Sequence, residues 1–184
     1  MTTHLYTFNM TVEQDIWLWI TGYVEQEHKF YDYKFPPCPY ARSARLKGLV
    51  DVHAYSSGST FKFVRDQALD LAADPGRNVR VLAFPPVYRW AKPLHWYINH
   101  LNKQLIGSNY YMQYGRAVTT SSQYPGLLNG EPYFVVIINY WPDVVRGAEA
   151  LLRAGYYESW PTSHFDAIVT RRQQALDRHN KDTK

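Results

Sequence analysis

The chain of 184 residues contains a single cysteine, Cys38, and no long apolar run. One cysteine excludes an internal disulfide and any zinc site built from several thiolates, and it favours a reducing, cytoplasmic location. The first residues form neither a basic nor an apolar segment, so no signal peptide is predicted. The longest fully apolar run is about five residues within Tyr133–Trp141, which is too short to span a bilayer. We therefore predict a protein that does not enter the membrane.

Charge is also scarce, because Asp, Glu, Lys and Arg together make up 20% of the residues and the net charge is +4. Such mild basicity disfavours nucleic acid as a partner and leaves an anionic small molecule open. The chain has no glycine-rich phosphate loop, and His95 and His100 are five residues apart rather than at the spacing of a helical metal pair. The sequence thus predicts no metal site and identifies no cofactor.

Aromatic residues are abundant, with 16 Tyr, 8 Phe and 6 Trp. Tyrosine and tryptophan favour half-buried positions where a polar tip finds a hydrogen-bond partner. Two interpretations follow, and both remain open. The rings either fill a compact core or line a cleft or an interface, including one between copies of a homo-oligomer.

Hydrophobic periodicity predicts one α/β domain over residues 1–178 and a polar, frayed tail over 179–184. The predicted order is α-β-α-β-α-β-β-α-α, with helices packed on a mixed sheet of about four strands. Parallel crossovers come first and an antiparallel pair comes later. The helices are predicted over 12–29, 61–72, 93–106 and 142–155 and from Ser163 onward, with a short helix or turn over 42–47; the strands are predicted over 49–55, 79–84, 114–120 and 133–141.

The most distinctive segment is Lys34–Arg45, which places Cys38 between prolines and shortly before Arg42 and Arg45. The prolines stiffen the backbone, and nearby cations or a helix N-terminus lower the pKa of a thiol. One hypothesis makes Cys38 a nucleophile or redox thiol, with Arg42, Arg45 and Tyr40 binding an anionic ligand. The alternative is an inert cysteine in a structural proline loop.

His53 lies in the first predicted strand, from which the chain returns directly after Gly48. A cysteine nucleophile is commonly activated by a histidine base. We therefore consider His53 as the base for Cys38, against the alternative of a hydrogen-bonded or exposed histidine.

Cys38–Ala41 resembles the active-site loop of glutaredoxins, with alanine in place of the second cysteine. A helix is predicted before this loop, whereas a strand precedes it in glutaredoxins. The same residues, together with Trp17-Leu18 and Tyr124-Pro125, resemble a family of uncharacterised bacterial proteins marked by a Leu-Cys-Pro-Phe-Ala segment. Here Pro37 stands for the leucine and Tyr40 for the phenylalanine. The resemblance implies an α/β order and a significant Cys38 loop, and it implies no activity.

These features lead to one main expectation and two alternatives. The main expectation is a small-molecule enzyme or a binder of an anionic ligand that uses the Cys38–Arg45 loop. The first alternative is a non-catalytic interaction or oligomeric protein with an aromatic surface. The second is a weak single-stranded nucleic-acid binder, because tyrosines interleave with the basic residues over 31–47.

Overall fold

The computed structural model describes residues 10–74, 76–85, 91–117, 133–174 and 177. The α-helices are α1 (Val12–Trp19), α2 (Ala41–Leu46), α3 (Thr60–Ala73), α4 (Ala91–Leu105), α5 (Trp141–Arg153) and α6 (Thr162–Phe165). The strands are β1 (Val50–Ala54), β2 (Val79–Phe84), β3 (Tyr110–Arg116) and β4 (Phe134–Tyr140). Two helices continue with π-helical geometry, α1 over Ile20–Val24 and α6 over Asp166–Thr170.

The four strands form one mixed sheet in the order β1-β2-β4-β3. β1 pairs with β2 in parallel, through the crossover helix α3, and β4 pairs antiparallel with both β2 and β3. This arrangement confirms the predicted α/β class, the four strands, and the change from parallel to antiparallel pairing. No helix of the described residues is both long and apolar enough to cross a membrane.

Apolar side chains on the two faces of the sheet form two separate cores. On one face, Leu82 and Phe84 of β2 pack against the buried stripes of α3 and α4. On the other face, Val81 and Ala83 pack with Ile16 of α1. Consecutive residues of a strand point to opposite faces, so β2 is buried on both sides. The result is a three-layer arrangement in which α1 lies opposite α3 and α4.

The predicted bounds of the first helix and of the third strand were wrong. The helix predicted over 12–29 loses α-helical geometry after Trp19, where the Thr21 hydroxyl donates to the Trp17 carbonyl. The strand predicted over 114–120 lies earlier, at Tyr110–Arg116, because Asn109 adopts a left-handed φ of 63° and starts the strand there. Residues 118–120 of that prediction lie outside the described residues.

The last helix also begins differently from the prediction. The sequence predicts this helix from Ser163 onward, whereas it begins at Thr162 and its N-cap is Pro161. Ser163 therefore lies inside the first turn. The predicted frayed tail, residues 179–184, lies outside the described part of the chain.

Asn102 fastens α4 to the edge strand β3. Its side-chain amide donates to the Met112 carbonyl at 2.9 Å and its side-chain oxygen accepts from the Met112 N–H at 2.7 Å. Asn102 is only 5% exposed, so both backbone groups depend on this one side chain. Buried backbone groups that lose their partners cost about 1–3 kcal/mol each.

We predict that Asn102→Ala lowers the free energy of unfolding by about 2–4 kcal/mol, because two buried groups of Met112 lose their partner. Urea denaturation measures this change. Asn99→Ala is the matched control, since Asn99 lies three residues earlier on the same helix and is exposed. Equal effects of the two substitutions would contradict the assigned role.

Candidate functional site

The Cys38 loop connects the end of α1 to α2. The Cys38 N–H donates to the Val24 carbonyl at 3.1 Å, and the Cys38 carbonyl accepts from the Ala41 N–H at 3.2 Å. These two bonds turn the chain directly into α2, whose N-cap residue is Tyr40. The thiol therefore lies at the start of a six-residue helix, close to its first amide groups.

The surroundings of Cys38 raise the pKa of its thiol above the usual value. Desolvation is the largest cause, since it disfavours the thiolate. Hydrogen bonds from the Tyr40 and Ala41 backbone amides lower the pKa, and the nearby Glu25 carboxylate raises it further. The thiol thus stays protonated at neutral pH, which is the opposite of the activation expected of a nucleophile.

Arg45 forms an ion pair instead of facing the loop as a free cation. Its Nε and Nη2 atoms donate to the two carboxylate oxygens of Glu25, each at 2.8 Å. The Glu25 side chain is 2% exposed, so this bidentate pair neutralises a buried charge. Arg42 is exposed, and no described carboxylate pairs with it. Of the two arginines predicted to bind an anion, Arg45 is already engaged.

His53 lies on the other side of the sheet from Cys38. Val50 and Val52 of β1 pack with α1, whereas Asp51 and His53 alternate onto the opposite face. There the His53 Nε2 atom is 3.3 Å from a carboxylate oxygen of Asp51. The structure therefore does not bring His53 to the thiol, and the hypothesis of a Cys38–His53 pair has no contact to support it.

A buried arginine holds Asp51 in place. Arg80 is 3% exposed and donates to Asp51 on β1 and to Asp70 and Gln67 on α3. The His53–Asp51 contact thus belongs to a charge network that joins β1 to α3. This network stabilises the packing of α3 on the sheet.

A cluster of aromatic rings, which we call the aromatic clasp, ties the Cys38 loop to the chain after α5. The Trp160 indole N–H donates to the Tyr31 hydroxyl at 2.9 Å, and the Tyr31 hydroxyl donates to the Tyr156 hydroxyl at 2.9 Å. Tyr156 in turn donates to the Pro37 carbonyl, and its ring stacks on Tyr31 with centroids 4.6 Å apart. Sequence reasoning missed Tyr156, because nothing local distinguishes it from the other 15 tyrosines.

Tyr40 provides a second connection between the loop and α5. Its hydroxyl donates to the Gly147 carbonyl at 2.5 Å. A Cβ atom at Gly147 would lie 2.6 Å from Cζ of Tyr40, so only glycine leaves room for this ring. The predicted ligand residue Tyr40 is therefore seated on α5. Desolvation raises the pKa of the Tyr40 hydroxyl, and the positive charge of Arg172 acts in the opposite direction.

Beside Tyr40, a groove runs between α5 and the C-terminal helical segment 162–174; we call it the α5 groove. Its volume is about 120 Å³. Most of its lining is apolar or aromatic, and its charged members are Glu149 and Arg172; the lining comprises Trp141, Val145, Ala148, Glu149, Leu152, Tyr157, Phe165, Val169, Arg172 and Gln173.

Two polar groups in the wall of the α5 groove have no partner among the described residues. Arg172 is 9% exposed, and no described carboxylate lies within ion-pair distance of its guanidinium. The Trp141 indole N–H is buried and donates to no acceptor there. Buried donors are normally paired, so the Trp141 N–H requires an explanation, and Arg172 supplies a cation to the groove.

Comparisons with protein-family models, curated proteins and solved structures found no match for this chain. The resemblances to glutaredoxins and to the Leu-Cys-Pro-Phe-Ala family stay predictions from sequence. Within the described ranges, no three or more His, Cys, Asp or Glu side chains are grouped so as to hold a metal ion.

We predict that Gly147→Ala displaces Tyr40 from α5. Alanine in a helix interior is intrinsically better than glycine by about 1 kcal/mol, so the clash and the propensity oppose each other. In a Tyr40→Ala background, Gly147→Ala should raise the free energy of unfolding by about 0.5–1 kcal/mol. In the wild type the gain should disappear or reverse. A double-mutant cycle by urea denaturation measures the difference, and additive effects would contradict the contact.

We also predict that Cys38 reacts slowly with iodoacetamide at neutral pH, because its pKa is raised by burial. The native rate should be at least about ten times lower than the rate in urea, and it should rise as the pH passes above 9. Cys38→Ser is the control for labelling at the thiol. Fast native labelling with a midpoint below pH 7 would instead support the nucleophile hypothesis.

Proposed function

We propose that this protein binds a small organic anion in the α5 groove. The observation that carries the proposal is Arg172, which lies in the wall of the groove and whose guanidinium has no described carboxylate within ion-pair distance. A cation in a mostly apolar wall attracts a bound group of opposite sign more strongly than it would in open water, because the local dielectric constant is lower. A ligand carboxylate is the natural partner, since it accepts two parallel hydrogen bonds from a guanidinium.

The walls of the groove favour a compact apolar body for this ligand. Val145, Leu152 and Val169 supply aliphatic contacts, and Tyr157 and Phe165 supply rings. A cavity of this order holds a molecule about as large as benzene. An aromatic or branched aliphatic monocarboxylate therefore fits both the charge and the volume.

Glu149 in the same lining argues against a strongly charged ligand. Its carboxylate would repel a dianion such as phosphate more than a monoanion. The Trp141 indole N–H offers a further hydrogen bond, which an oxygen of the ligand could accept. Because this nitrogen is shielded from water, a ligand atom reaches it only if the wall shifts.

The proposed ligand is an anion, as expected from the sequence, but the residue that binds it is Arg172 and not Arg42 or Arg45. Arg45 is paired with Glu25, whereas Arg172 lies beside Tyr40 without a described counter-ion. The Cys38 loop then supports the groove through Tyr40, and its thiol takes no part in binding. Binding, rather than thiol catalysis, is the function that these contacts favour.

We predict that millimolar sodium benzoate raises the melting temperature of the wild type and that the neutral isostere benzamide does not. Arg172→Gln should weaken benzoate binding about 10- to 100-fold, which corresponds to losing a charged hydrogen bond. Isothermal titration calorimetry measures the affinity, and thermal unfolding measures the shift.

Arg171→Gln is the matched control, because Arg171 is the preceding residue and is exposed. Without benzoate, Arg172→Leu should be about as stable as the wild type, since it removes no ion pair among the described residues and keeps an apolar stem in the wall. Equal shifts with benzoate and benzamide, or equal losses in the two arginine variants, would contradict the proposal.

A further inference from the structure

The outward face of α4 carries aromatic and basic side chains and no acid. Lys92, Trp96, Asn99, His100 and Lys103 are all exposed and recur at helical spacing, so they form one stripe along the helix. The opposite side of α4 supplies the buried stripe of Leu94, Ile98, Leu101 and Leu105. The basic and aromatic stripe faces solvent because the apolar side of the same helix packs in the core.

Trp96 is the most exposed large hydrophobic residue of those described, with 72% of its surface accessible. Its ring lies nearly parallel to that of His100, with an angle of 12° and centroids 6.0 Å apart. Beside it, Trp96 and Pro93 form a shallow apolar depression with Tyr97 and with Phe61 of α3. Contiguous exposed apolar surface of this kind marks interaction sites.

Charges on the neighbouring helix do not oppose an anion here. Asp66 of α3 is neutralised by Lys62 and Arg65, which both contact its carboxylate. Asp70 contacts Arg80. The cations Lys92 and Lys103 have no described carboxylate paired with them and lie at the two ends of the stripe, about 16 Å apart along the helix.

We propose that this α4 face binds single-stranded nucleic acid. A planar base would stack on the exposed rings of Trp96 or His100, and Lys92 and Lys103 would contact phosphates on either side. Flat rings flanked by cations are the arrangement by which proteins hold single strands without reading their sequence. The absence of any acid on α4 favours such a polyanion over an apolar segment of a protein.

This surface is independent of the α5 groove. The low net charge of +4 and the two lysines of the stripe predict weak binding with a shallow salt dependence, consistent with a short contact rather than a basic arm. The net charge that disfavours nucleic acid as a partner is a sum over the whole chain, and it does not describe the charge of a single surface. The fold concentrates the aromatic and basic groups on one helix face.

The test is fluorescence anisotropy with fluorescein-labelled oligo(dT) of twelve nucleotides at low salt, using the full chain. Trp96→Leu should weaken binding about tenfold, whereas Trp96→Phe should keep most of it because phenylalanine still stacks. Replacing both Lys92 and Lys103 by Gln should lower the salt slope by about two. Lys47→Gln is the matched control, since Lys47 is exposed and follows α2.

Three results would overturn the proposal. The first is no anisotropy change with the wild type. The second is a loss with Lys47→Gln as large as the loss with the α4 lysine variant. The third is Trp96-dependent binding to vesicles of phosphatidylserine and phosphatidylcholine without binding to oligo(dT), which would assign the face to a membrane surface. Unchanged melting temperatures of the Trp96 and lysine variants ensure that a loss reflects the surface and not the fold.

Discussion

The hydrogen bond from the Tyr156 hydroxyl to the Pro37 carbonyl holds together the part of the molecule on which the candidate sites depend. Tyr156 is 3% exposed, and its burial raises the pKa of its hydroxyl so far that it stays a donor at any physiological pH. Because Tyr31 donates to the same hydroxyl, the loop before Cys38 is attached to the chain after α5. This attachment sets where Cys38 and Tyr40 lie.

The chemistry of the loop follows from that attachment. Cys38 is half-buried near the aromatic clasp, and desolvation raises the pKa of its thiol, so the prolines and arginines around it do not produce an activated thiolate. Arg45 stabilises the buried carboxylate of Glu25 instead. The same packing seats Tyr40 on α5, where Arg172 and the α5 groove lie beside it. The loop thus acts as a support, and the unpaired cation comes from a distant part of the chain.

Local patterns predicted the fold well, since the stripe of Leu94, Ile98 and Leu101 is buried and β2 has its predicted bounds. The prediction for β3 was wrong by four residues at its start, because its position depends on Asn109 and on the two bonds from Asn102. An asparagine in a helical stretch carries no periodic signal that reveals such a partner.

From the sequence alone follow the α/β class, the order of the elements, the isolation of Cys38 and the aromatic richness of the chain, because composition and hydrophobic period are local properties. The tertiary structure alone decided which arginine is paired, since Glu25 reaches Arg45 whereas Arg172 meets no described carboxylate. It also decided that His53 lies away from Cys38 and that Trp96 faces solvent beside His100. Pairing, burial and pKa depend on contacts between residues far apart in the chain, which spacing along the sequence does not encode.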